Sequence, residues 1–320
     1  MIKTRVVYIT GCLGFIGSHV TRLCLSRGWK VIGVDNRTYA SNDEFLDEFK
    51  QYNNFKFIQS DINDLDRLYD CDYVINLAAE THVDNSIVAS DTFLRSNVNG
   101  VHHLLKLIMH KSRFRMPVLL HFSTDEVYGD IATGSHTESD LLRPSNPYSA
   151  TKAAADQLIC AWARTFDVPY VIVRPTNNYG IGQYVEKLIP RTVKFLQLGR
   201  PVELHDKGLP VRTWLAAKDT AAAVETIIES DVRNEIYNIS GSVELPNCVV
   251  VQKILNLYFV NGENFVDTWQ NYVVDAERPG QDVRYSIDDS KLRALGWNPQ
   301  CNFDQELIAT VAWYKENFVW

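Results

Sequence analysis

An α/β fold is predicted, with a doubly wound parallel sheet followed by a smaller C-terminal lobe. Up to about residue 175, short runs of β-branched and other apolar residues alternate with longer stretches of helical periodicity. The short runs are apolar almost throughout, as is typical of strands buried on both faces of a sheet. From residue 175 onward, seven of the eleven prolines separate shorter elements, which indicates a second and smaller lobe.

These patterns place the elements in order along the chain. The first part is predicted to contain strands at 6–9, 31–34, 55–58, 73–76, 118–122 and 170–173 and helices at 18–27, 90–109 and 148–166. The second part is predicted to contain helices at 185–198, 218–229 and 303–318 and a strand at 236–239. No repeat period links these elements, so a solenoid is not expected. We expect two units, residues 1–175 with the sheet and residues 176–320 with the smaller lobe.

Composition and charge narrow the class of protein. Of 320 residues, 46% are hydrophobic and 22% are charged, an ordinary globular composition that excludes disordered and fibrous proteins. The formal net charge of -7 disfavours a general nucleic-acid binder but leaves room for a local basic pocket. A small-molecule partner, and no nucleic acid, is therefore expected.

Cysteine spacing and apolar content predict the compartment. The six cysteines are scattered without a C-x-x-C pair, so neither a metal site nor a dense disulfide framework is expected. The most apolar late stretch, residues 248–260, is interrupted by polar side chains and is shorter than the roughly 20 residues that span a bilayer. The apolar run at 6–9 is too short for a signal sequence. We expect a cytoplasmic protein with no membrane anchor and no bound metal.

A glycine-rich segment after the first predicted strand is typical of a dinucleotide-binding site. Gly11, Gly14 and Gly17 have G-x-x-G-x-x-G spacing and lead into the first predicted helix, with Phe15 and Ile16 between the last two glycines. Glycines there allow a tight turn and let a pyrophosphate approach the positive end of the helix. Strand, glycine turn and helix together predict a Rossmann-type fold whose cofactor contacts all five residues.

Asp35, at the end of the second predicted strand, indicates which dinucleotide binds. It lies eighteen residues after Gly17, where a carboxylate accepts hydrogen bonds from an adenosine ribose and repels a 2′-phosphate. NAD is therefore favoured over NADP, and Asn36 is included in the cofactor site, although Arg37 follows directly. The alternative is that Asp35 only caps a turn.

Two later strand ends extend the predicted cofactor site. Asp61 and Ile62 follow the third predicted strand and are expected beside the adenine, with a capping role as the alternative for Asp61. Ala78 and Ala79 follow the fourth strand and are small enough for a cofactor to lie against the backbone. Small residues also simply pack well, which is the alternative for this pair.

Tyr148 and Lys152 form a candidate acid–base pair. They lie four residues apart at the start of a predicted helix, which puts the phenol and the ammonium on one face a turn apart. A neighbouring ammonium and an oxidised nicotinamide both favour the phenolate, so that Tyr148 can deprotonate an alcohol as hydride leaves its carbon. The alternative is an exposed helical pair without a catalytic role.

With the glycine loop and the Tyr148/Lys152 pair, the sequence resembles the extended short-chain dehydrogenase/reductase family. Thr124, Asp125 and Glu126 narrow the resemblance, because they follow the fifth predicted strand, at whose carboxyl end such sheets bind ligands. This segment is similar to the signature of the nucleotide-sugar 4,6-dehydratases. Related 4-epimerases need a serine or threonine here but no adjacent acid pair. The alternative is a solvated pair of acids in a turn.

The resemblance spans essentially the whole chain. Other segments that agree with it are 78–86, 174–180, 186–190 and 278–280. One departure lies at Thr213, Ala216 and Lys218, where the family usually has an acid, an aromatic residue and a further acid. Arg212, which the resemblance implies as a phosphate or base contact, is present.

The resemblance implies conversion of a nucleoside-diphosphate glucose to its 4-keto-6-deoxy product and water. It implies that Tyr148 takes the proton of the 4-hydroxyl while hydride passes to NAD, and that Thr124 steadies the same oxygen. Glu126 then removes the C5 proton and Asp125 protonates the departing 6-hydroxyl, one carboxyl ionised and its neighbour neutral. Hydride returns to C6, so NAD is regenerated.

A set of polar residues is expected to hold the substrate. The predicted substrate residues are His82, Thr124, Asn177, Glu186, Lys187, Arg191, Arg212, Asn247 and Arg278, while Asn178, Tyr148 and Lys152 are expected to face the nicotinamide. Cationic side chains, Arg284 among them, can gather around a diphosphate because Arg forms charge-assisted bonds with phosphate. Ion pairs with surface carboxylates are the alternative for some of these cations, and a core position is the alternative for His82.

Two other functions and two carrier nucleotides stay open. A 4-epimerase or a decarboxylase on the same scaffold is one alternative, and a non-catalytic dinucleotide-binding scaffold is the other. The carriers dTDP and UDP differ by a methyl and a ribose hydroxyl, and one methyl changes binding by only ~1 to 3 kcal/mol. The loop around Asn85 is closer to UDP-using relatives, since dTDP-using ones tend to carry Arg there.

The resemblance also implies a homodimer built from the helices at 90–109 and 148–166.

Overall fold

The computed structural model describes residues 4–259, 269, 271–276 and 282–317. In the first part of the chain the strands are β1 Val6–Thr10, β2 Lys30–Asp35, β3 Phe55–Gln59, β4 Tyr73–Asn76, β5 Val118–Phe122 and β6 Tyr170–Pro175. The helices there are α1 Phe15–Ser26, α2 Asp43–Phe49, α3 Val83–Val88, α4 Ser90–Phe93, α5 Gly100–Met109 and α6 Pro147–Phe166. Short 3₁₀ turns lie at Ile62–Asp64, Arg113–Arg115 and Asp125–Tyr128.

The later part of the chain has shorter strands between its helices. The strands are β7 Asn177–Tyr179, β8 Val202–His205, β9 Val211–Ala216, β10 Glu235–Ile239, β11 Val243–Pro246 and β12 Val273–Ala276. The helices are α7 Leu188–Gln197, α8 Ala217–Glu229, α9 Asn247–Tyr258, α10 Ser290–Arg293 and α11 Phe303–Glu316. A further 3₁₀ turn lies at Asp206–Gly208.

Seven of these strands form one parallel sheet in the order β3-β2-β1-β4-β5-β6-β10. The order reverses between β1 and β4, so the carboxyl ends of these two strands border the crevice where such sheets bind ligands. In register, Thr10 at the end of β1 lies opposite Val34 on one side and Asn76 on the other. The predicted doubly wound, Rossmann-type sheet is confirmed.

Helices cover both faces of this sheet. On one face α1 and α8 pack over a core that includes Val20 and Ile227. On the other face α5 and α6 pack over a core that includes Leu104 and Ile159. Alternate residues of one strand enter the two cores, as the pleat requires, so Val171 lies in the first core and the next residue in the second. Burial on both faces explains the continuous apolar runs in the sequence.

Part of the chain after residue 175 returns to the large sheet. The strand predicted at 236–239, which the sequence pattern groups with the smaller lobe, is β10 and pairs with β6 at the sheet edge. The side chains of Tyr237 and Ile239 are buried in the core that α1 covers, and this burial holds the strand there. The functional division of the chain at residue 175 stays a prediction.

The helix predicted at 90–109 is interrupted by a wider π turn at Leu94–Asn99. Asn97 within this turn is buried, and its amide donates to the Thr151 hydroxyl at 2.9 Å and to the Glu80 carbonyl at 3.0 Å. Its side-chain oxygen accepts from the Glu80 N–H at 2.9 Å. The turn therefore ties the loop after β4 to α6, and π turns are frequent near functional sites.

Among the residues that the structure describes, the smaller lobe contains two small sheets and the helices α7, α9 and α11. The strand order is β11-β9-β7 in one sheet and β12-β8 in the other. Helices α7, α9 and α11 pack around a core that includes Val193, Ile254 and Val311. The sequence pattern did not predict these strands, because they are three to six residues long and polar residues such as Arg212 and Thr213 interrupt β9.

Membrane, metal and cysteine features can be stated for the described ranges. Within them, we find no helix whose length and apolar content would let it cross a bilayer. Over the same residues, His, Cys, Asp and Glu side chains form no group of three or more that could hold a metal ion. All six cysteines are free, and Cys12 and Cys24 are buried.

Candidate active site

The loop between β1 and α1 brings its glycines against the neighbouring backbone. Gly11 has a φ of +69°, and a Cβ there would lie 2.8 Å from the backbone nitrogen of Ala78. A Cβ on Gly17 would lie 1.9 Å from the carbonyl oxygen of Gly11. Gly14 begins α1 without a side-chain cap, and the first N–H groups of a helix have no partner within the helix. The loop therefore offers backbone alone to a ligand.

Asp35 at the end of β2 is buried and fixes the loop. Its carboxylate accepts hydrogen bonds from the Leu13 N–H at 3.0 Å, the Arg37 N–H at 2.8 Å and the Ser41 hydroxyl at 2.7 Å. The Arg37 guanidinium pairs instead with the exposed Asp43 and does not line the cleft described next. The carboxylate thus keeps the position expected of a ribose acceptor.

A first cleft opens over this loop and encloses about 610 Å³ of space that is continuous with solvent. The predicted cofactor residues that line it are Gly11, Gly14, Asp35, Asn36, Asp61, Ile62, Ala78 and Ala79. Phe15, Ile16 and Gly17 do not line it and form the first turn of α1. Hydroxyl and carboxyl groups that the sequence did not single out also line it, from Thr38, Ser41, Ser60, Glu80 and Ser96.

Asp61 has both roles that the sequence left open, because it caps a turn and also lines the first cleft. Its carboxylate caps the turn at Ile62–Asp64 by accepting from the Asn63 N–H at 2.8 Å. It also accepts from the Asn63 side-chain amide at 2.9 Å and lines the first cleft. Capping and lining the cleft are therefore compatible at this position.

The turn after β5 carries the acid pair. Thr124 caps it by accepting from the Glu126 N–H at 3.3 Å, and its hydroxyl donates to Asp125 Oδ1 at 3.2 Å. The Asp125 residue is only 3% exposed, and its Oδ2 has no hydrogen-bond partner among the residues described. Burial, and then the negative charge of Glu126, raise the pKa of Asp125 to about 7. This carboxyl therefore holds a proton in a large fraction of molecules at neutral pH.

Helix α6 presents Tyr148 to the acid pair. Asn146 caps the helix by accepting from the Ser149 N–H at 2.9 Å, and its amide donates to Glu126 Oε2 at 3.4 Å. The same side chain thus starts the helix and contacts the carboxylate. Because α6 begins here, the buried phenol of Tyr148 lies in its first turn.

The pKa of Tyr148 differs from the expectation drawn from Lys152. Burial raises this pKa above its ordinary value, and the charges of Glu126 and Asp125 raise it further, whereas a hydrogen bond with Thr124 lowers it. In the protein alone, desolvation of the phenolate therefore outweighs any help from the neighbouring ammonium. A phenolate at this site needs additional positive charge.

Lys152 lies one helical turn beyond the phenol and is only 3% exposed. Its ammonium donates to the Phe122 carbonyl at 2.5 Å. Burial lowers the pKa of Lys152 to about 8, and the charge of Asp156 opposes this effect. Since Tyr148 and Lys152 are both buried, the alternative of an exposed helical pair is excluded.

A second, larger cleft encloses about 1050 Å³ and is lined by residues of both lobes. The predicted site residues that line it are Glu126, His82, Asn177, Asn178, Glu186, Lys187, Arg191, Arg212 and Asn247. Lining residues that the sequence did not single out are Gln183, His205, Trp214 and Tyr285. Thr124 is buried behind Glu126, and Arg278 lies outside the described residues.

The basic side chains of this cleft are held by neighbours. Lys187 donates to the Thr81 carbonyl at 3.0 Å and pairs with Glu186 at 3.1 Å. Arg191 pairs with Glu203 at 2.6 Å. Arg284 does not line the cleft, since its guanidinium bonds to Glu244 at 2.7 Å. These contacts orient Lys187 and Arg191, which the sequence assigned to a diphosphate. Arg284, which was assigned to the same role, lies outside the cleft.

Tyr285 is the cleft residue that sequence reasoning most clearly missed. The Arg212 guanidinium lies over its ring at 4.4 Å and donates to the carbonyls of Val211 and Asp282 at 2.7 and 3.1 Å. The Tyr285 hydroxyl donates to the Asp282 carboxylate, which also accepts from Ser145. The nearest signal was the segment at 278–280, but nothing in the sequence shows that Asp282 reaches the start of α6.

The arrangement brings a partly protonated acid, a carboxylate, a phenol and an ammonium together, and the carboxylate, Glu126, lines the second cleft. The first cleft includes Glu80 and the second includes Thr81, so the two clefts meet where these neighbouring residues lie. Proton transfer at the junction of a dinucleotide site and a substrate site is the chemistry that such a set supports.

Comparison with known proteins agrees with this geometry. Residues 8–310 match the family model described as GDP-mannose 4,6 dehydratase. A probable dTDP-glucose 4,6-dehydratase of Sinorhizobium fredii is 38% identical over 98% of this chain and 94% of its own length. A trifunctional UDP-glucose 4,6-dehydratase/3,5-epimerase/reductase of Arabidopsis thaliana is 37% identical over 99% of this chain, which spans about half (48%) of that protein.

A solved structure gives the same result. The dTDP-glucose 4,6-dehydratase of Streptomyces venezuelae, crystallised with NAD and TYD bound, superposes with a TM-score of 0.90 at 35% identity, covering 98% of this chain and 97% of that one. The predicted resemblance to the nucleotide-sugar 4,6-dehydratases is confirmed. Because the family model covers most of the chain and these relatives exceed 30% identity, the chain belongs to the GDP-mannose 4,6 dehydratase family.

Proposed function

We propose that this chain is an NAD-dependent nucleoside-diphosphate-glucose 4,6-dehydratase, a hydro-lyase that releases water and a 4-keto-6-deoxyglucose nucleotide. The observation that carries the proposal is the buried Asp125, whose pKa is raised to about 7, beside Glu126 at the edge of the second cleft. A neutral acid next to a carboxylate suits elimination of water. A 4-epimerase needs no such pair, and a scaffold without turnover has no use for it.

The residues present fit NAD. Gly11 and Gly17 leave no room for a Cβ, so the backbone stays open to a pyrophosphate at the start of α1. The Asp35 carboxylate in the same cleft suits the adenosine ribose and repels a 2′-phosphate. Held by these residues, NAD would supply a hydride acceptor for C4 of the sugar and then a hydride donor for C6, so no net oxidation would occur.

Tyr148 is assigned the first proton. Its phenol removes the proton of the 4-hydroxyl, and the neighbouring Thr124 hydroxyl steadies the same oxygen. Because burial raises the pKa of Tyr148, the phenolate depends on nearby positive charge, which we assign to Lys152 one turn away together with an oxidised nicotinamide. The ketone that forms at C4 makes the hydrogen on C5 acidic.

Asp125 and Glu126 are assigned the elimination. Glu126, which lines the cleft, accepts the proton from C5, and Asp125 gives its proton to the 6-hydroxyl, which leaves as water. A double bond forms between C5 and C6. When C6 becomes a methyl group, Glu126 returns its proton to C5. Before the next turnover Asp125 regains a proton from solvent, and Tyr148 releases to solvent the proton that it took from the 4-hydroxyl.

The second cleft is assigned to the nucleotide sugar. Lys187, Arg191 and Arg212 supply charge for a diphosphate, and His205 and Asn247 supply hydrogen bonds. In this proposal residues 1–175 carry the cofactor site and the catalytic residues, and residues 176–320 mainly bind the nucleotide sugar.

The carrier is proposed to be UDP. Relatives named for dTDP-glucose and for UDP-glucose match the chain about equally well, at 38% and 37% identity. The support for UDP is Asn85, an exposed residue of α3 where dTDP-using relatives tend to carry Arg. Both carriers therefore belong in the assay below.

The chain is proposed to be a cytoplasmic homodimer. Apolar side chains at the start of the helical stretch 90–109 and just before it are exposed, with Val88 at 88% and Leu94 at 48%. The six free cysteines suit a reducing compartment. Light scattering at micromolar concentration should give twice the 36.5 kDa monomer mass, and a monomer alone would remove the dimer from the proposal.

Mass spectrometry of the products tests the reaction itself. Purified protein is incubated separately with UDP-glucose and dTDP-glucose, and the expected product is lighter than the substrate by one water. An epimerase would leave the mass unchanged, and a scaffold would leave the substrate intact.

A separate experiment tests whether NAD stays bound. Denaturing the purified protein should release NAD into solution, because a cofactor that is regenerated in each cycle has no need to leave.

A further inference from the structure

An ion pair lies beneath the candidate active site, outside both clefts. Asp156 on α6 and Arg174 on β6 are 0% and 2% exposed, and their side chains meet at 3.0 Å. Neither residue has a part in the reaction described above. Burial of two charges is costly, and a buried pair is weak evidence for a role in stability alone. We therefore expect this pair to have a role besides stability.

One end of the pair faces Lys152. Asp156 lies four residues after Lys152 on α6, so both side chains are on the same helix face one turn apart. The end of β5 and the residue after it hold both groups, because the Ser123 hydroxyl donates to Asp156 at 3.0 Å and the Phe122 carbonyl accepts from Lys152 at 2.5 Å. The carboxylate and the ammonium are thus fixed against the same strand end.

The other end reaches the turn that carries the acid pair. Arg174 donates to the Tyr128 hydroxyl at 2.6 Å and lies over the Tyr128 ring at 4.7 Å. Tyr128 is the last residue of the turn Asp125–Tyr128, and its hydroxyl donates to Asn238 at 2.9 Å. One buried network therefore spans from the ammonium of Lys152 to this turn.

We propose that Asp156 is a positioning residue for the reaction: its charge, held by Arg174 and Ser123, keeps Lys152 charged and fixed beneath Tyr148. The catalytic consequence rests on the proposed function, because Lys152 supports the phenolate only as an ammonium. Without the carboxylate, burial would favour the neutral amine and the phenol would lose its cationic neighbour.

The other ionisable groups around Lys152 do not replace this charge. From α6 the other group is Tyr148, and from β5 it is His121, whose pKa burial lowers well below its ordinary value, so it is neutral. Burial lowers the pKa of Lys152 to about 8, and Asp156 is the charge that opposes it. The Arg174 guanidinium on β6 pairs with Asp156 and carries the same sign as the ammonium.

The pH dependence of kcat/KM tests the proposal. In Asp156→Asn the alkaline limb, which reports loss of the Lys152 proton, should move down by about 1 to 3 pH units. The control is Ser123→Ala, which removes a hydrogen bond to the same carboxylate and changes no charge, so its alkaline limb should move much less than that of Asp156→Asn. A purely structural role would lower the whole profile without moving a limb, and that result in Asp156→Asn would overturn the proposal.

A titration that needs no turnover separates this proposal from the proposed function. The ¹³Cε signal of Lys152, assigned with Lys152→Met, should titrate at lower pH in Asp156→Asn than in the wild type. If a stranded Arg174 prevents folding, the double variant Asp156→Asn/Arg174→Gln removes both charges of the pair and should show the same downward shift. An unchanged titration overturns the proposal. If the wild-type protein dehydrates neither nucleotide sugar, the proposed function is overturned. The titration then still decides whether Asp156 keeps Lys152 charged.

Discussion

The two clefts of this chain are built in different ways. The first opens over a loop of backbone that two glycines keep bare, and the Asp35 carboxylate is fixed beside this loop by the Leu13 N–H and Ser41. The second is shaped by charged side chains that arrive from distant segments. Each of these cations is held by a neighbour, as Arg191 is by Glu203.

This difference predicts which kind of substitution impairs binding in each cleft. Where the glycine loop offers bare backbone, no side chain can be lost, so this part of the first cleft is sensitive to added volume. A cleft of paired charges tolerates small changes of shape and is sensitive to loss of one charge, because the partner is then left without compensation. The residues between the clefts, where the proposed chemistry occurs, are sensitive to the loss of a single proton-carrying group.

The largest effects are expected between the clefts. Glu126→Gln keeps the shape of the side chain and removes the base, so C4 oxidation proceeds while elimination slows by about 10²- to 10⁴-fold. Reduced cofactor should accumulate on the enzyme as near-ultraviolet absorbance after substrate is added. Asp125→Asn should behave in the same way, whereas Tyr148→Phe blocks the first step and should develop no absorbance. Normal turnover by both carboxamide variants would make the acid pair structural and favour the 4-epimerase alternative.

The proton on Asp125 should also appear in the pH dependence of stability. The folded pKa of about 7 exceeds the ordinary 3.8, so the folded chain binds this proton more tightly than the unfolded chain does. The resulting stabilisation is fully present below pH ~4 and is lost as pH rises towards 7, a change of at most about 4 kcal/mol. Urea unfolding should therefore show wild type losing stability relative to Asp125→Asn between these pH values. A constant difference would show that the carboxyl is not perturbed.

Added volume should damage the first cleft. Gly17→Ala places a Cβ 1.9 Å from the Gly11 carbonyl oxygen, so the loop must move, and the variant should lose its retained NAD. Overpacking of this kind costs about 1 to 3 kcal/mol of unfolding free energy. The control is Gly28→Ala, at a position where a Cβ meets nothing within 4 Å although φ is +73°. NAD recovered from denatured Gly17→Ala in the wild-type amount would contradict a cleft made by bare backbone.

Sequence patterns located the parts of the site that depend on local spacing. Gly11 to Gly17 lie in one turn, and Tyr148 and Lys152 lie on one helix, so a fixed interval along the chain fixes their distance in space. The large sheet was predictable for the same reason, since each buried strand shows its own apolar run. The family resemblance added the residues of the second cleft, which no interval indicates.

Contacts between distant segments could not be predicted in this way. Asp156 meets Arg174 from another element, and Asp282 reaches Ser145 across more than a hundred residues. The return of the chain as β10 depends on which face its side chains bury, and the pattern of a short strand does not show this. The effect of burial, which raises the pKa of Tyr148 in the protein alone, could not be predicted either, because spacing carries no information about desolvation.

Loss of one charge should weaken the second cleft more modestly. Arg191→Gln removes a cation assigned to the diphosphate, and charged hydrogen bonds contribute about 1.5 to 3 kcal/mol, so KM should rise roughly 10- to 100-fold with kcat little changed. Lys194→Gln is the matched control, because it removes the same charge from the same helix, α7, at a residue that does not line the cleft. An equal rise of KM in both variants would mean that overall charge, and not the paired cation, attracts the substrate.

The smallest effect is expected from Arg37, although it directly follows the residues that fix cofactor choice. Its guanidinium is bound to Asp43 at the surface, and exposed ion pairs contribute little, so Arg37→Ala should change NAD affinity by less than about twofold. NADP should remain a poor ligand, because the Asp35 carboxylate still repels a 2′-phosphate. Asp35→Asn is the contrasting variant. It removes that repulsion, so the ratio of NAD affinity to NADP affinity should fall. Calorimetry with each dinucleotide measures both variants after bound cofactor is removed. A weaker affinity for NADP in Arg37→Ala than in the wild type would mean that Arg37 leaves Asp43 to meet the phosphate, and that a side chain as well as the backbone shapes the first cleft.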